Sequence, residues 1–356
     1  ILDGEDLGVV VYGDTPGTTV TLTGLTVTRG KGQGVYLSDA RLLMSDCILT
    51  GHAGSTHALH LDNSDNSQIL NSQIINNTLS GFDGLYATNG SDYLTVSGNT
   101  ITGNYGTGSY VRGSQYLNLT HNTITGNSSY GVYLYNSDYG TLSHNTIAAN
   151  SYGIYSGYSM DYVTLQHNTI TGNNNRGVHF GGSNNTLVAN TIAGNTGDGV
   201  YLVGSDNVLD NNIIARNGGD GIQWGTGSGT LRHNTISENS GEDGDSGLLV
   251  TGGASLVLTN TIIVSHTFGI QTTNADADVQ ADHTLWHGNS ADVDTSAGGT
   301  VVTAYDLYGD PAFFGGDDPF VAYHIRAGSA AIDAGIDAGL DEDIDGDLRP
   351  RSTGYD

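Results

Sequence analysis

Cysteine is almost absent from this chain: Cys47 is the only one among 356 residues, so no intramolecular disulfide can form. Proline is scarce too, at 4 residues, and no apolar run approaches the roughly 20 residues a helix needs to cross a bilayer. Cationic side chains are few. Lys31 is the only lysine, and Lys and Arg together number 10 against 37 Asp and Glu, for a formal net charge of -27. That balance repels DNA and RNA at nearly every face, which argues against a nucleic-acid partner. It also disfavours strongly anionic polysaccharides unless calcium bridges the two sets of carboxylates. Neutral glycans and cations fit better. Hydrophobic residues, at 37%, are few for a globular enzyme but enough for a narrow core one side chain deep from each wall.

What the chain has in abundance is glycine, at 54 residues, with Asn, Thr, Ser and Asp, a composition of short strands joined by tight turns. A phrase Asn-Thr-Ile-x-x-Asn recurs, as NTITGN from Asn99, Asn122 and Asn168 and in close variants from Asn145, Asn190, Asn212 and Asn234. Its isoleucines, Ile101, Ile124, Ile147, Ile170, Ile192, Ile214 and Ile236, are spaced by 23, 23, 23, 22, 22 and 22 residues, and looser copies place Val27, Ile48, Ile74, Ile262 and Leu285 in the same column. Each period also holds a Gly-apolar-x-apolar phrase and a third alternating segment, so three strands per coil are expected. The period is too short for paired helices. The reading is an all-β, single-stranded right-handed parallel β-helix of about 12 coils over residues 1-290, with a non-repeating segment, 291-356, packing back on it. At roughly 4.8 Å per coil it is a rod of roughly 58 Å. Alternation sends Ile124 inward and Thr123 and Thr125 outward, with Asn122 and Asn127 at bends whose left-handed backbone asparagine tolerates and whose side chains bond from coil to coil.

The NTITGN and GVYL phrases resemble the repeats of the pectate-lyase-like β-helix superfamily over roughly residues 20 to 290, a resemblance that implies a scaffold shared by carbohydrate-binding and sugar-hydrolysing proteins. The tail, with Ser329-Ala330-Ala331-Ile332-Asp333-Ala334-Gly335 and Asp341-Glu342-Asp343-Ile344-Asp345-Gly346-Asp347-Leu348-Arg349-Pro350, is similar to the closing segment of exported bacterial β-helix surface proteins. It implies an extracellular or cell-surface location. The chain opens at Ile1 without Met or a signal peptide and is read as a mature or truncated product. The superfamily's catalytic phrases are not found together. No Asp-Pro-His or Gly-His-Gly occurs, Gly51-His52-Ala53 being a near miss, a lone Arg-x-Lys stands at Arg29-Gly30-Lys31, and Arg112, Arg176, Arg216 and Arg232 fall in different registers of the repeat. The chain is therefore read as binding or displaying toward glycans without a recognisable catalytic site. The alternatives are a lyase, hydrolase or epimerase with an unfamiliar site, or a filament or adhesin subunit associating end to end through its open edges.

Several columns are candidates for function. The outward middle residue of the Gly-apolar-x-apolar strand reads Tyr36, His60, Tyr86, Tyr110, Tyr133, Tyr155, His179, Tyr201 and Gln223, and a second column at the following bend reads Tyr93, Tyr116, Tyr139 and Tyr162. Tyrosine can take the apolar face of a sugar while its hydroxyl bonds to sugar oxygens, so these are the candidate glycan-binding residues. Asp341, Asp343, Asp345 and Asp347 around Gly346 are candidate calcium ligands in an EF-hand-like loop. Position twelve of that loop is Ser352 instead of Glu, so Asp333 or Asp356 would have to complete it. No organic cofactor is expected. His121, His144, His167 and His233 share a register and should stack, while Cys47 and Leu49 are read as outward-facing. An apolar stretch of one face, at Ile213, Ile263 and Trp286, is expected to be covered by the tail. Acidic insertions at Glu242-Asp243-Gly244-Asp245 and at Asp276, Asp278 and Asp282 are read as solvated turns or lids.

Overall fold

The structure, a computed structural model, describes residues 1–52, 56–78, 81, 83–157, 160–240, 245–350 and 354–355. The insertion at 242–244 and the positions Ser352 and Asp356 lie outside the described residues. The chain winds through about 13 turns of a parallel β-solenoid. Helix is confined, among the described residues, to one turn, Pro319–Ala322. By compactness the chain divides into two units, Ile1–Thr164 and Leu165–Asp356.

In the first unit the strand carrying the repeat phrase stacks in register, Leu49 on Ile74 on Ile101 on Ile124 on Ile147, and every one of these side chains is fully buried. In the second unit the column is Ile170, Ile192, Ile214, Ile236, Ile263 and Trp286. Period-two alternation thus fills a core one residue deep. The pairings run on past residue 290, through Thr300–Ala304 to Leu307–Tyr308.

Three expected inward residues are one position off. Leu49 is the core residue instead of Ile48, Ile263 instead of Ile262, and Trp286 instead of Leu285. The cause is at the bend. The position that regular coils fill with asparagine is held by Cys47, Thr261 and Thr284, so counting from Asn260 starts one residue early, and a one-residue slip exchanges the faces of a strand. Cys47 is therefore buried in the asparagine column, its N–H donating to Ser72 Oγ at 3.0 Å, and the outward apolar residues include Ile48 in the first unit and Ile213, Ile262, Leu285 and Leu307 in the second.

Two buried asparagine ladders fix the register. In the first unit Asn99 Nδ2 donates to Asn122 Oδ1 and Asn122 Nδ2 to Asn145 Oδ1, each at 3.0 Å, beside a second ladder from Asn104 to Asn127 to Asn150. The second unit repeats both, Asn168 to Asn190, Asn212 and Asn234, and Asn173 to Asn195, Asn217 and Asn239. The left-handed residue at these bends is not the asparagine but its predecessor. His121, His144, His167 and His233 hold φ of 54°, 55°, 52° and 53°. His121 and His144 stack at 4.8 Å, and histidine is among the residues that tolerate this region, which accounts for the column structurally.

Within the second unit the tail lies against the outward apolar strip. Ile213 is only 4% exposed, packed with Ala322, Tyr323, Phe313 and Ile344. Polar clasps accompany it: Asn260 Oδ1 accepts from Ile336 N and its Nδ2 donates to Ile336 O at 2.7 Å, Asn211 Nδ2 donates to Glu342 O, and Tyr323 Oη donates to Glu238 Oε2 at 2.8 Å. A cleft of about 290 Å³ remains between Ile262, Leu285 and Leu307 and the tail residues Ile325 and Ile332.

Candidate functional site

The outward strand column of the first unit is a continuous aromatic row. Tyr12, Tyr36, His60, Tyr86, Tyr110, Tyr133 and Tyr155 follow one another with ring centroids 4.7 to 5.6 Å apart. A flanking row stands three residues upstream on each coil, His57, Asp83, Thr107, Tyr130 and Tyr152. His57 stacks on Tyr86 at 3.9 Å and pairs with Asp83 at 3.1 Å, and Tyr130 touches both Tyr133 and Tyr155 at 5.0 Å. Burial, with Tyr133 and Tyr86 beside it, pushes the Tyr110 hydroxyl up to about 12, so Tyr110 stays protonated and can donate a hydrogen bond throughout the physiological range.

The bend column differs in kind. Tyr93, Tyr116, Tyr139 and Tyr162 are 54%, 45%, 47% and 49% exposed. Successive rings lie 4.8 to 5.2 Å apart and within 17° of parallel. All four sit in left-handed backbone, φ 56° to 59°. The same bend is occupied by Asn66 before them and by Asn184 and Asp206 in later repeats, residues that adopt this conformation readily. Because the rings face one another, the ladder offers edges and hydroxyls along its length and a full ring face only at its ends. Carboxylates run beside it: Asp92 Oδ1 accepts from Gln115 N, and Asp138 Oδ1 from Asp161 N.

Tyr201 belongs to the second unit and keeps different company. Arg176 Cζ lies 4.3 Å over its ring, the tilted His179 ring lies 4.6 Å from it, and Arg176 donates through Nε to Asp198 Oδ2 at 2.7 Å, through Nη2 to Gln223 Oε1 at 2.9 Å and toward His179 Nδ1 at 3.3 Å. Asp220 N donates to Asp198 Oδ1 at 3.1 Å, and Asp220 Oδ1 accepts from Ser246 N at 2.7 Å. Burial, with the like charges of Asp198 and Asp245 added, pushes the Asp220 carboxyl up to about 7 against the pull of the Ser246 N–H and, less, of Arg176. Burial and Arg176 drive His179 down to about 4. Sequence reasoning missed this cluster. Its signal is the position three residues before each residue of the outward column, which reads Arg176, Asp198 and Asp220 ahead of His179, Tyr201 and Gln223, whereas comparing arginines only with one another finds nothing.

The acidic loop of the tail is internally engaged. Asp343 Oδ1 accepts from Asp345 N at 3.0 Å and Asp347 N at 2.8 Å, and Asp345 Oδ2 pairs with His324 Nε2 at 2.8 Å. Among the described residues, no three His, Cys, Asp or Glu side chains gather as a metal ion requires.

A family model described as the right-handed β-helix region matches residues 7–188, 110–262 and 176–304. The chain belongs to that family. No curated protein matches its sequence. Among solved structures it is similar to the A-module of the mannuronan C-5 epimerase AlgE6 of Azotobacter vinelandii, with 16% identity, 87% of this chain and 100% of that one covered, and a TM-score of 0.59. The A-module of AlgE4 from the same organism gives 18% identity over 85% and 97% of the two chains and a TM-score of 0.52. At such identities the family likeness is one of fold.

Proposed function

We propose that the protein is an extracellular or cell-surface β-helix that binds an extended polysaccharide along the tyrosine-bearing face of residues 1–164. The observation that carries this reading is the left-handed backbone of the four bend tyrosines. Holding a bulky residue there costs roughly 1 kcal/mol or more each, a strain that asparagine largely avoids. Three stacked pairs contribute roughly 0.5–1.5 kcal/mol each, so stacking at best offsets the strain. A surface selected only for stability would keep asparagine at these bends, as the neighbouring repeats do. What tyrosine adds is a row of hydroxyls repeated once per coil, close to the rise of one sugar in an extended glycan. The resemblance to epimerase modules named for mannuronan supports a polysaccharide ligand, while the net charge of -27 favours a neutral or cationic one.

The test replaces Tyr93, Tyr116, Tyr139 and Tyr162 together by Asn. Retention on immobilised xylan, mannan, cellulose, chitin and chitosan is expected to fall at least tenfold for the glycan the wild type prefers, with a melting temperature unchanged or raised. Undiminished retention, or a wild type that binds none of the five, would sink the proposal.

A further inference from the structure

We infer that Asp220 and Asp198 are the general acid and the nucleophile of a retaining glycoside-hydrolase site for a neutral polysaccharide. This inference rests on the reading of the surface as glycan-binding. The two carboxyls stand on successive coils, tied by the Asp220 N–H to Asp198 Oδ1 bond of 3.1 Å. Their backbones are one coil apart, roughly 4.8 Å, and each carboxyl accepts from the N–H of the following coil, so the two side chains lean the same way and keep about that spacing. Retaining hydrolysis uses carboxyls about 5–5.5 Å apart, and inverting hydrolysis needs a few ångströms more to admit a water between acid and base.

The two environments differ as the two roles require. Asp198 is held in one orientation by Arg176, and 15% of its side chain reaches solvent. Asp220 is nearly enclosed, with Ser246 N on Oδ1, and its raised carboxyl keeps a proton available near neutrality, the property a general acid needs. The charged groups facing it are Asp198, Asp245 and Arg176. Gln223 and Tyr201 flank the pair with groups able to hydrogen-bond sugar hydroxyls.

The step balances with water as the only co-reactant. Asp220 gives its proton to the glycosidic oxygen as the bond from that oxygen to the anomeric carbon breaks, and Asp198 forms a bond to that carbon. The leaving sugar departs as a neutral alcohol. Water then attacks the anomeric carbon, its proton passes to Asp220, and Asp198 is released as a carboxylate. Substrate class follows from charge. Arg176, the one guanidinium in the cluster, is already engaged by Asp198 and Gln223, which leaves no cation in it to hold a uronate carboxylate, and the whole chain is anionic.

The experiment incubates the full chain, Asp220→Asn and Asp198→Asn with xylan, mannan, β-glucan and galactan, and follows new reducing ends and their anomeric configuration. The wild type is expected to cleave at least one polymer with retention, and each variant to lose ~100-fold or more. A 2-deoxy-2-fluoroglycosyl fluoride of the matching sugar is expected to label Asp198, read by peptide mass spectrometry. Absence of cleavage on all four polymers, an Asp220→Asn variant of full activity, inverted products or a label elsewhere overturns the assignment. Glycan retention of the two Asp variants is measured beside activity, so failure of hydrolysis with retention intact is distinguished from failure of the binding face.

Discussion

At the residue scale, the outlying conformations and titrations fall at the positions where the repeat changes its residue. Asp220 is the clearest case. Its carboxyl rises from the ordinary 3.8 to about 7, so the folded chain keeps a proton that the unfolded chain gives up between those values. Stability is therefore fully present below about pH 4 and declines as pH rises toward 7, by up to about 4 kcal/mol if the whole shift is realised. Asp220→Asn, which mimics the protonated form, is expected to melt like the wild type near pH 4 and distinctly higher near pH 8. Equal melting temperatures at both values would show that the site is not strained by ionisation. None of this was legible from sequence, because an aspartate in a turn-rich chain reads as solvated until its burial is known. The asparagine columns were legible. Their neighbours' role was misplaced by one residue, since Asn is the habitual left-handed residue and here stands one place later, pointing inward.

At the scale of elements, register is decided by bends more than by apolar residues. Ile-Leu, Ile-Ile and Leu-Trp pairs at 48–49, 262–263 and 285–286 each offer two candidates for one inward position, and a short strand cannot choose between them by hydrophobicity alone. The side chain at the preceding bend chooses. The outward member then needs cover, which in the second unit the tail supplies by packing on Ile213 and by walling the cleft over Ile262 and Leu285. Under that packing, amides such as Gly335 N, bonded to Tyr355 O at 2.7 Å, and Ile336 N exchange slowly. Hydrogen exchange is expected to protect peptides across 330–345 at least tenfold relative to the exposed turn at 315–316. Free exchange throughout the segment would contradict the packing.

At the scale of the whole molecule, fold was plain in the sequence because it is written about a dozen times, whereas function is written once, in columns whose residues change from coil to coil. The tyrosine rows could be read as columns. Their left-handed backbone could not, and neither could the cluster around Arg176. Charge is also a property of this scale. With 37 acidic against 10 basic side chains, self-repulsion opposes compactness, and salt screens it over a Debye length of about 10 Å at 0.1 M. The melting temperature is expected to rise by several degrees between about 10 mM and 0.3 M sodium chloride, and a fall would mean that attractive pairs such as Arg232 with Asp210 outweigh the repulsion.

The asparagine ladders have a direction. Each amide Nδ2 hands its hydrogen to the coil that follows, and each asparagine N–H does the same, as in Asn99 to Asn122 or Asn195 to Asn217. A nascent chain leaves the ribosome N-terminus first, so the newest coil holds these donors against water until the next one covers them and supplies their acceptors. Each new coil takes its predecessor's donors over from water and offers its own, a ratchet that runs in one direction. The sequence closes the ratchet by changing chemistry. Asn239 passes its amide to His266, whose N–H reaches Asn289 Oδ1, and Asn289 Nδ2 ends on the carboxylate of Asp292, which accepts and has nothing further to give.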